Sequence, residues 1–142
     1  MLRSITIEDL YQFKQVSRPR ISPDGQRVAF VVTTIDERKQ EYHSSIWIAA
    51  TDGGEAKRFT GGASNAHNPN WSPDGQWLAF VTDREGEPAV RDQTEQKKQG
   101  KAKSQIWLIP TDGGEARQLT FMQHGASNPV WSPDSKQIVF SA

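Results

Sequence analysis

The stretch WSPDGQWLAF runs from Trp71 to Phe80, and WSPDSKQIVF runs from Trp131 to Phe140. A third copy, ISPDGQRVAF, occupies Ile21 to Phe30. With Ser22, Ser72 and Ser132 in register, the copies are 50 and 60 residues apart. A second block follows each of the first two copies: IWIAATDGGEAKRFT from Ile46 and IWLIPTDGGEARQLT from Ile106, again 60 apart. The mismatch between the two periods has one source. Thr34 to Ile46 is 12 residues, whereas Arg84 to Ile106 is 22, so one unit carries a loop insertion. Self-similarity at such a period is the mark of a repeat architecture.

Each unit predicts four short strands. The first is RPRI (Arg18 to Ile21), NPNW (Asn68 to Trp71) or NPVW (Asn128 to Trp131). SPDG follows as a turn, its proline presetting φ and its Asp-Gly tolerating the reversal. The second strand, RVAFVVT, WLAFVTD or QIVFSA, alternates about an apolar centre. The third, SIWIAA or QIWLIP, runs into TDGGE, a strong hairpin signal because both central residues can take positive φ. The fourth is AKRFT or ARQLT. Four antiparallel strands per unit at this period predict all-β, β-propeller blades. Blade 1 is placed at about 18–60, blade 2 at 68–120 and a half blade at 128–142, within a partial propeller over 17–142. The rings that recur with the repeat are read as packing between blades: Trp47 with Trp107, Trp71 with Trp131, and Phe30 with Phe80 and Phe140. Trp77, whose counterparts are Arg27 and Gln137, is read as a partly covered surface ring.

Two and a half blades cannot close a ring of the usual four to eight. Repeat units need neighbours on both faces, and an apolar strand such as IVFSA at an open edge invites pairing. This implies either the N-terminal part of a longer polypeptide, truncated relative to a closed propeller, or a chain that completes its sheets as a homo-oligomer. Residues 1–16 are expected to form a short N-terminal helix. Thr6 and Asp9 have capping-box spacing, Ile5 and Leu10 are placed for a hydrophobic staple, and Ile7, Leu10, Tyr11 and Phe13 make an apolar stripe. The helix either caps blade 1 or tethers it to a second domain.

The composition bounds the chemistry. Lys and Arg number 17 and Asp and Glu number 17, so no net field draws nucleic acid or an anionic membrane. The chain has no cysteine, which removes thiolate nucleophiles and cysteine-built metal sites. No run approaches the roughly 18 apolar residues of a membrane helix. A soluble, cytoplasmic protein is expected. The nucleophile elbow G-x-S-x-G does not occur, and GGASNA and HGASNP lack its second glycine. His43, His67 and His124 share no repeat position or ligand spacing and are read as loop histidines. Asp24, Asp52, Asp74, Asp112 and Asp134 lack the alternating carboxylates of a calcium loop and are read as turn formers. The insertion from Glu85 to Gln105, basic in its second half through Lys97, Lys98, Lys101 and Lys103, is read as a solvated hairpin loop. No catalytic residue, metal ligand or cofactor site is therefore assigned.

The unit NPxWSPDGxxLAF…IWLxxxDGGExRxLT resembles the TolB-like, WD-type propeller repeat. The opening SITIEDLYQFKQVSRPRISPDGQRVAFV, a short EDL helix leading straight into the first SPDG repeat, is similar to the N-terminus of prolyl oligopeptidase-family serine peptidases, nearest the acylaminoacyl-peptidase-like branch. The resemblance covers all 142 residues. It implies a parent peptidase in which a propeller sits over an α/β-hydrolase domain and admits short peptides, with the helix packed on that domain. No member of a Ser-Asp-His triad has a matching position here. Ser135 departs from the pattern, standing where the third turn would have glycine, and is expected only to loosen that turn. The competing reading is a non-catalytic scaffold for protein interaction, assembled from several copies.

Overall fold

The computed structural model describes residues 3–86 and 102–142. It contains ten strands in three antiparallel sheets. In the first, β1 (Gln15–Ile21), β2 (Arg27–Asp36), β3 (Glu41–Ala50) and β4 (Lys57–Arg58) lie in sequence order. The second repeats that order with β5 (Ala66–Trp71), β6 (Trp77–Thr82), β7 (Gln105–Pro110) and β8 (Arg117–Gln118). The third pairs β9 (Ser127–Trp131) with β10 (Ile138–Ser141). These are two four-stranded blades and half of a third.

The two repeated motifs hold each blade together as a linked pair. In the SPDG turn, the Gly25 amide donates to the Ser22 carbonyl at 2.8 Å. The Ser22 hydroxyl donates to the Asp24 carboxylate at 2.5 Å and accepts from the Arg27 amide at 3.0 Å. The Ser72/Asp74/Trp77 and Ser132/Asp134/Gln137 sets repeat this. The threonine that opens TDGG then reaches across: Thr51 Oγ1 donates to the Gly25 carbonyl at 2.7 Å, and Thr111 Oγ1 to the Gly75 carbonyl at 2.6 Å. At the other end, Thr60 and Thr120 accept the Ile46 and Ile106 amides, each at 2.9 Å, and finish the short fourth strands.

Four details differ from the sequence expectation. The first strands start earlier and each contains a β-bulge, with Arg18, Asn68 and Asn128 at φ of 50°, 52° and 52°. The N-P pair suits that bulge, because asparagine tolerates the left-handed region and proline has no N–H to leave unpaired. In TDGG, positive φ falls on Gly53 and on Gly113 and Gly114, not on Asp52 or Asp112. Ser135 adopts the glycine-like conformation, φ 60°, and its hydroxyl accepts the Asp74 amide at 3.0 Å, so it ties two blades rather than merely loosening a turn. The N-terminal helix is a 3-10 helix, Ile7–Gln12, alongside β2. Asp9 accepts the Thr6 amide at 2.8 Å and pairs with Arg3, as capping chemistry requires. Its apolar stripe, however, is largely uncovered: Ile7, Leu10 and Phe13 are exposed and Tyr11 is half-buried, and with Ile5 exposed as well the expected staple buries nothing.

The core lies between sheets. Ala29, Val31 and Ile46 of blade 1 face Trp71, Leu78, Phe80, Trp107 and Ile109 of blade 2. Val81, Ile106 and Ala126 form the second junction, with Phe140 against them. A repeating bond accompanies the packing: Trp71 Nε1 donates to the Arg20 carbonyl at 2.8 Å, and Trp131 Nε1 to the Asn70 carbonyl at 3.1 Å.

Candidate functional site

Three of the chain's turns and loops converge where blade 1 meets blade 2, on the end of the sheets opposite the SPDG turns. The β4–β5 connection crosses there and is held from both sides. Arg58 donates to the Gly62 carbonyl and Arg84 to the Gly61 carbonyl, each at 2.9 Å. Asn65 acts as a latch: its side-chain oxygen accepts the Ser44 amide of blade 1 at 2.8 Å, while its own amide donates to Asp83 of blade 2 at 2.8 Å. Beside this latch is an open cleft of about 480 Å³, which His67, Tyr42, Lys103 and Ser104 also line.

Most of the lining residues carry polar side chains, Tyr42, Ser44, Asn65, His67, Asp83, Lys103 and Ser104 among them. The His67 imidazole is half-buried. Burial, and secondarily the Arg18 guanidinium, push its pKa below the ordinary value, while Asp83 pulls the other way. No hydroxyl is hydrogen-bonded to it among the described residues, so there is no nucleophile–base pair of the kind acyl transfer requires. The groups present offer hydrogen-bond donors and acceptors to a polar ligand. Among the described residues no group of three or more His, Asp or Glu side chains is arranged to hold a metal ion.

The residues weighed from the sequence fall apart accordingly. Of the three histidines read as loop residues only His124 is one, exposed between β8 and β9; His43 lies in β3 and His67 in β5, where strand pairing holds them, and only His67 reaches the cleft. Asp24, Asp74 and Asp134 sit in the SPDG turns, with carboxyl pKa values lowered first by the serine hydroxyl and then by a backbone amide. Asp52 and Asp112 occupy the exposed TDGG turns. Trp77 is half-buried, covered by the Arg117 guanidinium 4.9 Å from its ring centre. Lys97, Lys98 and Lys101 lie outside the described residues, whereas Lys103 lines the cleft. Sequence reasoning missed Tyr42, Ser44, Asn65 and Asp83. The signal was a break in the repeat: Asn65 and His67 correspond to Gly125 and Ser127. At the second junction a Cβ on Gly125 would come 3.0 Å from the Ser104 carbonyl, so the blades approach too closely for such a latch.

Residues 2–142 match the family model described as PD40, TolB beta propeller domain. The chain belongs to this propeller family. Among its relatives, the uncharacterized peptidase YuxL of Bacillus subtilis is 38% identical over 98% of this chain and 19% of its own length. Dipeptidyl-peptidase 5 of Porphyromonas endodontalis is 27% identical over 97% of this chain and 18% of its own. Among solved structures, the acylaminoacyl peptidase of Pyrococcus horikoshii superposes with a TM-score of 0.66 at 23% identity, covering 93% of this chain and 18% of that one. The chain thus spans about a fifth of the length of these two relatives, both of which are named as peptidases. No helix of the described residues is long and apolar enough to cross a membrane.

Proposed function

We propose that this chain is the first part of the propeller of a serine peptidase of the acylaminoacyl-peptidase type, and that the propeller gates the entry of short peptides to an α/β-hydrolase domain elsewhere in the polypeptide. The observation that carries the reading is the 38% identity to a peptidase across 98% of the chain. Two features support it. The match to a second peptidase, dipeptidyl-peptidase 5, also runs over 97% of the chain. In the N-terminal segment Ile5, Ile7, Leu10 and Phe13 are exposed beside blade 1, which suits a tether to another domain. In this role the blades 17–142 are a wall and filter, and polar clefts such as that at His67 and Asp83 contact the peptide in transit.

A serine-reactive fluorophosphonate probe, applied to the native polypeptide recovered with an antibody against this segment, tests the peptidase. Labelling of a product several times longer than 142 residues is expected. An unlabelled product of 142 residues would sink the reading. Gating is tested by loosening the blade junction with Trp71→Ala and comparing kcat/KM for short and long peptides. Long substrates should gain relative to short ones, and an unchanged ratio argues against a filter.

The second reading, a self-assembling scaffold, is favoured by one observation. Val130 and Val139 of the half blade and Ile21 of blade 1 are exposed, as surfaces awaiting a partner would be. It predicts that the 142-residue chain forms a discrete ring by light scattering.

A further inference from the structure

Four Asp-Gly dipeptides occur in the chain, at Asp24, Asp52, Asp74 and Asp112. This linkage is chemically labile. The glycine amide nitrogen attacks the aspartyl Cγ, a C–N bond forms, and the carboxyl oxygen leaves as water to give a five-membered succinimide. Water then adds back at either carbonyl, restoring aspartate or leaving isoaspartate, in which the main chain runs through Cβ and Cγ. Glycine permits the attack because it has no Cβ to obstruct it and its backbone is permissive. Two things must happen first. The amide has to give up any hydrogen bond it donates, and the carboxyl group has to swing free onto the amide.

The repeat places these four dipeptides in two environments. In the SPDG turns the nucleophile and the electrophile are both held. The Gly25 and Gly75 amides each donate to a serine carbonyl at 2.8 Å. The Asp24 and Asp74 carboxylates each accept a serine hydroxyl at 2.5 Å and a glutamine amide at 3.0 Å. In the TDGG turns both are loose. The Gly53 and Gly113 amides reach the Ala50 and Pro110 carbonyls at only 3.4 Å and 3.3 Å. Asp52 accepts a single long bond from the Gly54 amide, 3.3 Å, and no donor among the described residues reaches Asp112. Both turns are exposed to water.

We propose that Asp112 and, more slowly, Asp52 are the isoaspartate-forming sites of this protein, and that the SPDG turn protects Asp24 and Asp74 from the same reaction. The discrimination is conformational, since the reacting dipeptide is identical at all four positions. The serine hydroxyl and glutamine amide also keep the Asp24 and Asp74 carboxyls ionised, which withholds the protonated form that loses water. Isoaspartate at 112 would add a carbon to the main chain next to Thr111, whose hydroxyl clasps the Gly75 carbonyl, and would expose an α-carboxylate of the kind that isoaspartyl methyltransferases modify.

The test is ageing of the intact protein at neutral pH for weeks, folded and in urea. Isoaspartate is then located by enzymatic methylation and by electron-transfer fragmentation of peptides. In the folded protein, Asp112 should convert first, then Asp52. Asp24 and Asp74 should lag by at least about tenfold, the factor for losing one hydrogen bond to a charged group. In urea all four should convert at similar rates. Ser72→Ala should raise Asp74 towards the rate of Asp52 and leave Asp24 slow. If that variant unfolds, the folded and urea-treated wild-type samples still decide the question. Two results overturn the proposal: Asp24 or Asp74 keeping pace with Asp112 in the folded protein, or no conversion at Asp112 there while the urea sample converts.

Discussion

Arg18, Asn68 and Asn128 occupy one backbone conformation, the left-handed residue of a bulge, but only two of the three are of a type that tolerates it. A non-glycine residue there costs about 1–2 kcal/mol, and asparagine offsets part of that cost through its short polar side chain. Arg18→Asn should therefore raise stability by about 0.5–1 kcal/mol, read from urea midpoints. The reverse change at Asn68 should lower it. His67 carries a second prediction at this scale. Its folded pKa lies below the ordinary value of 6.5, so just below that pH the unfolded chain binds more protons. The stability it contributes is fully present above pH 6.5 and is lost as pH falls through the folded pKa. His67→Gln should flatten the pH dependence of the urea midpoint below pH 6.5, whereas an unchanged slope would assign it to other groups.

Between elements, the tryptophans of the first strands are both packing and bonding groups. Trp71 is buried, and its indole N–H reaches the Arg20 carbonyl of the preceding blade. Trp71→Phe keeps most of the ring volume and removes the donor, so it should cost about 1 kcal/mol. Trp71→Ala should cost about 3–5 kcal/mol through the cavity it opens at the blade junction. Thermal unfolding of the pair separates bond from packing. Blade 1 has Ile21 at the corresponding position, exposed and with no such donor. The substitution fits a strand that has no preceding blade among the described residues to bond to. The same scale explains why SPDG and TDGG travel together in the sequence. Thr51 and Thr111 bond the glycine carbonyls of the SPDG turns, so each motif completes the other.

At the scale of the molecule, equivalent residues have different environments because the blades stack in one direction. Phe80 is fully buried against blade 1, while its counterpart Phe30 is half-buried on the outer face. Phe80→Ala should cost about 3–5 kcal/mol and Phe30→Ala markedly less in this chain. In a longer polypeptide that closes the ring, the two costs should converge, and denaturant unfolding of both variants in both chains checks this. How much of this was legible beforehand differs from motif to motif. The SPDG copies at Ser22, Ser72 and Ser132 disclosed the blades and their order, because strand alternation and turn chemistry are local and the repeat states them three times. The bulges at Arg18, Asn68 and Asn128 were not legible, since N-P reads equally as extended chain until pairing shows an extra residue. Nor was the exposure of the N-terminal stripe, because periodicity shows which face is apolar and not whether anything covers it. The cleft was the least legible part. Tyr42, the Asn65–His67 pair and Asp83 come from three separate segments, so only the break in the repeat at Asn65 and His67 hints at them and no spacing joins them. The sequence by itself determined the β-propeller blade, because hydrophobic alternation and turn residues act between near neighbours. Only the tertiary structure decided which faces are buried, which asparagine latches two blades and which Asp-Gly bonds are clamped. Those depend on what long-range packing brings within a hydrogen bond's reach.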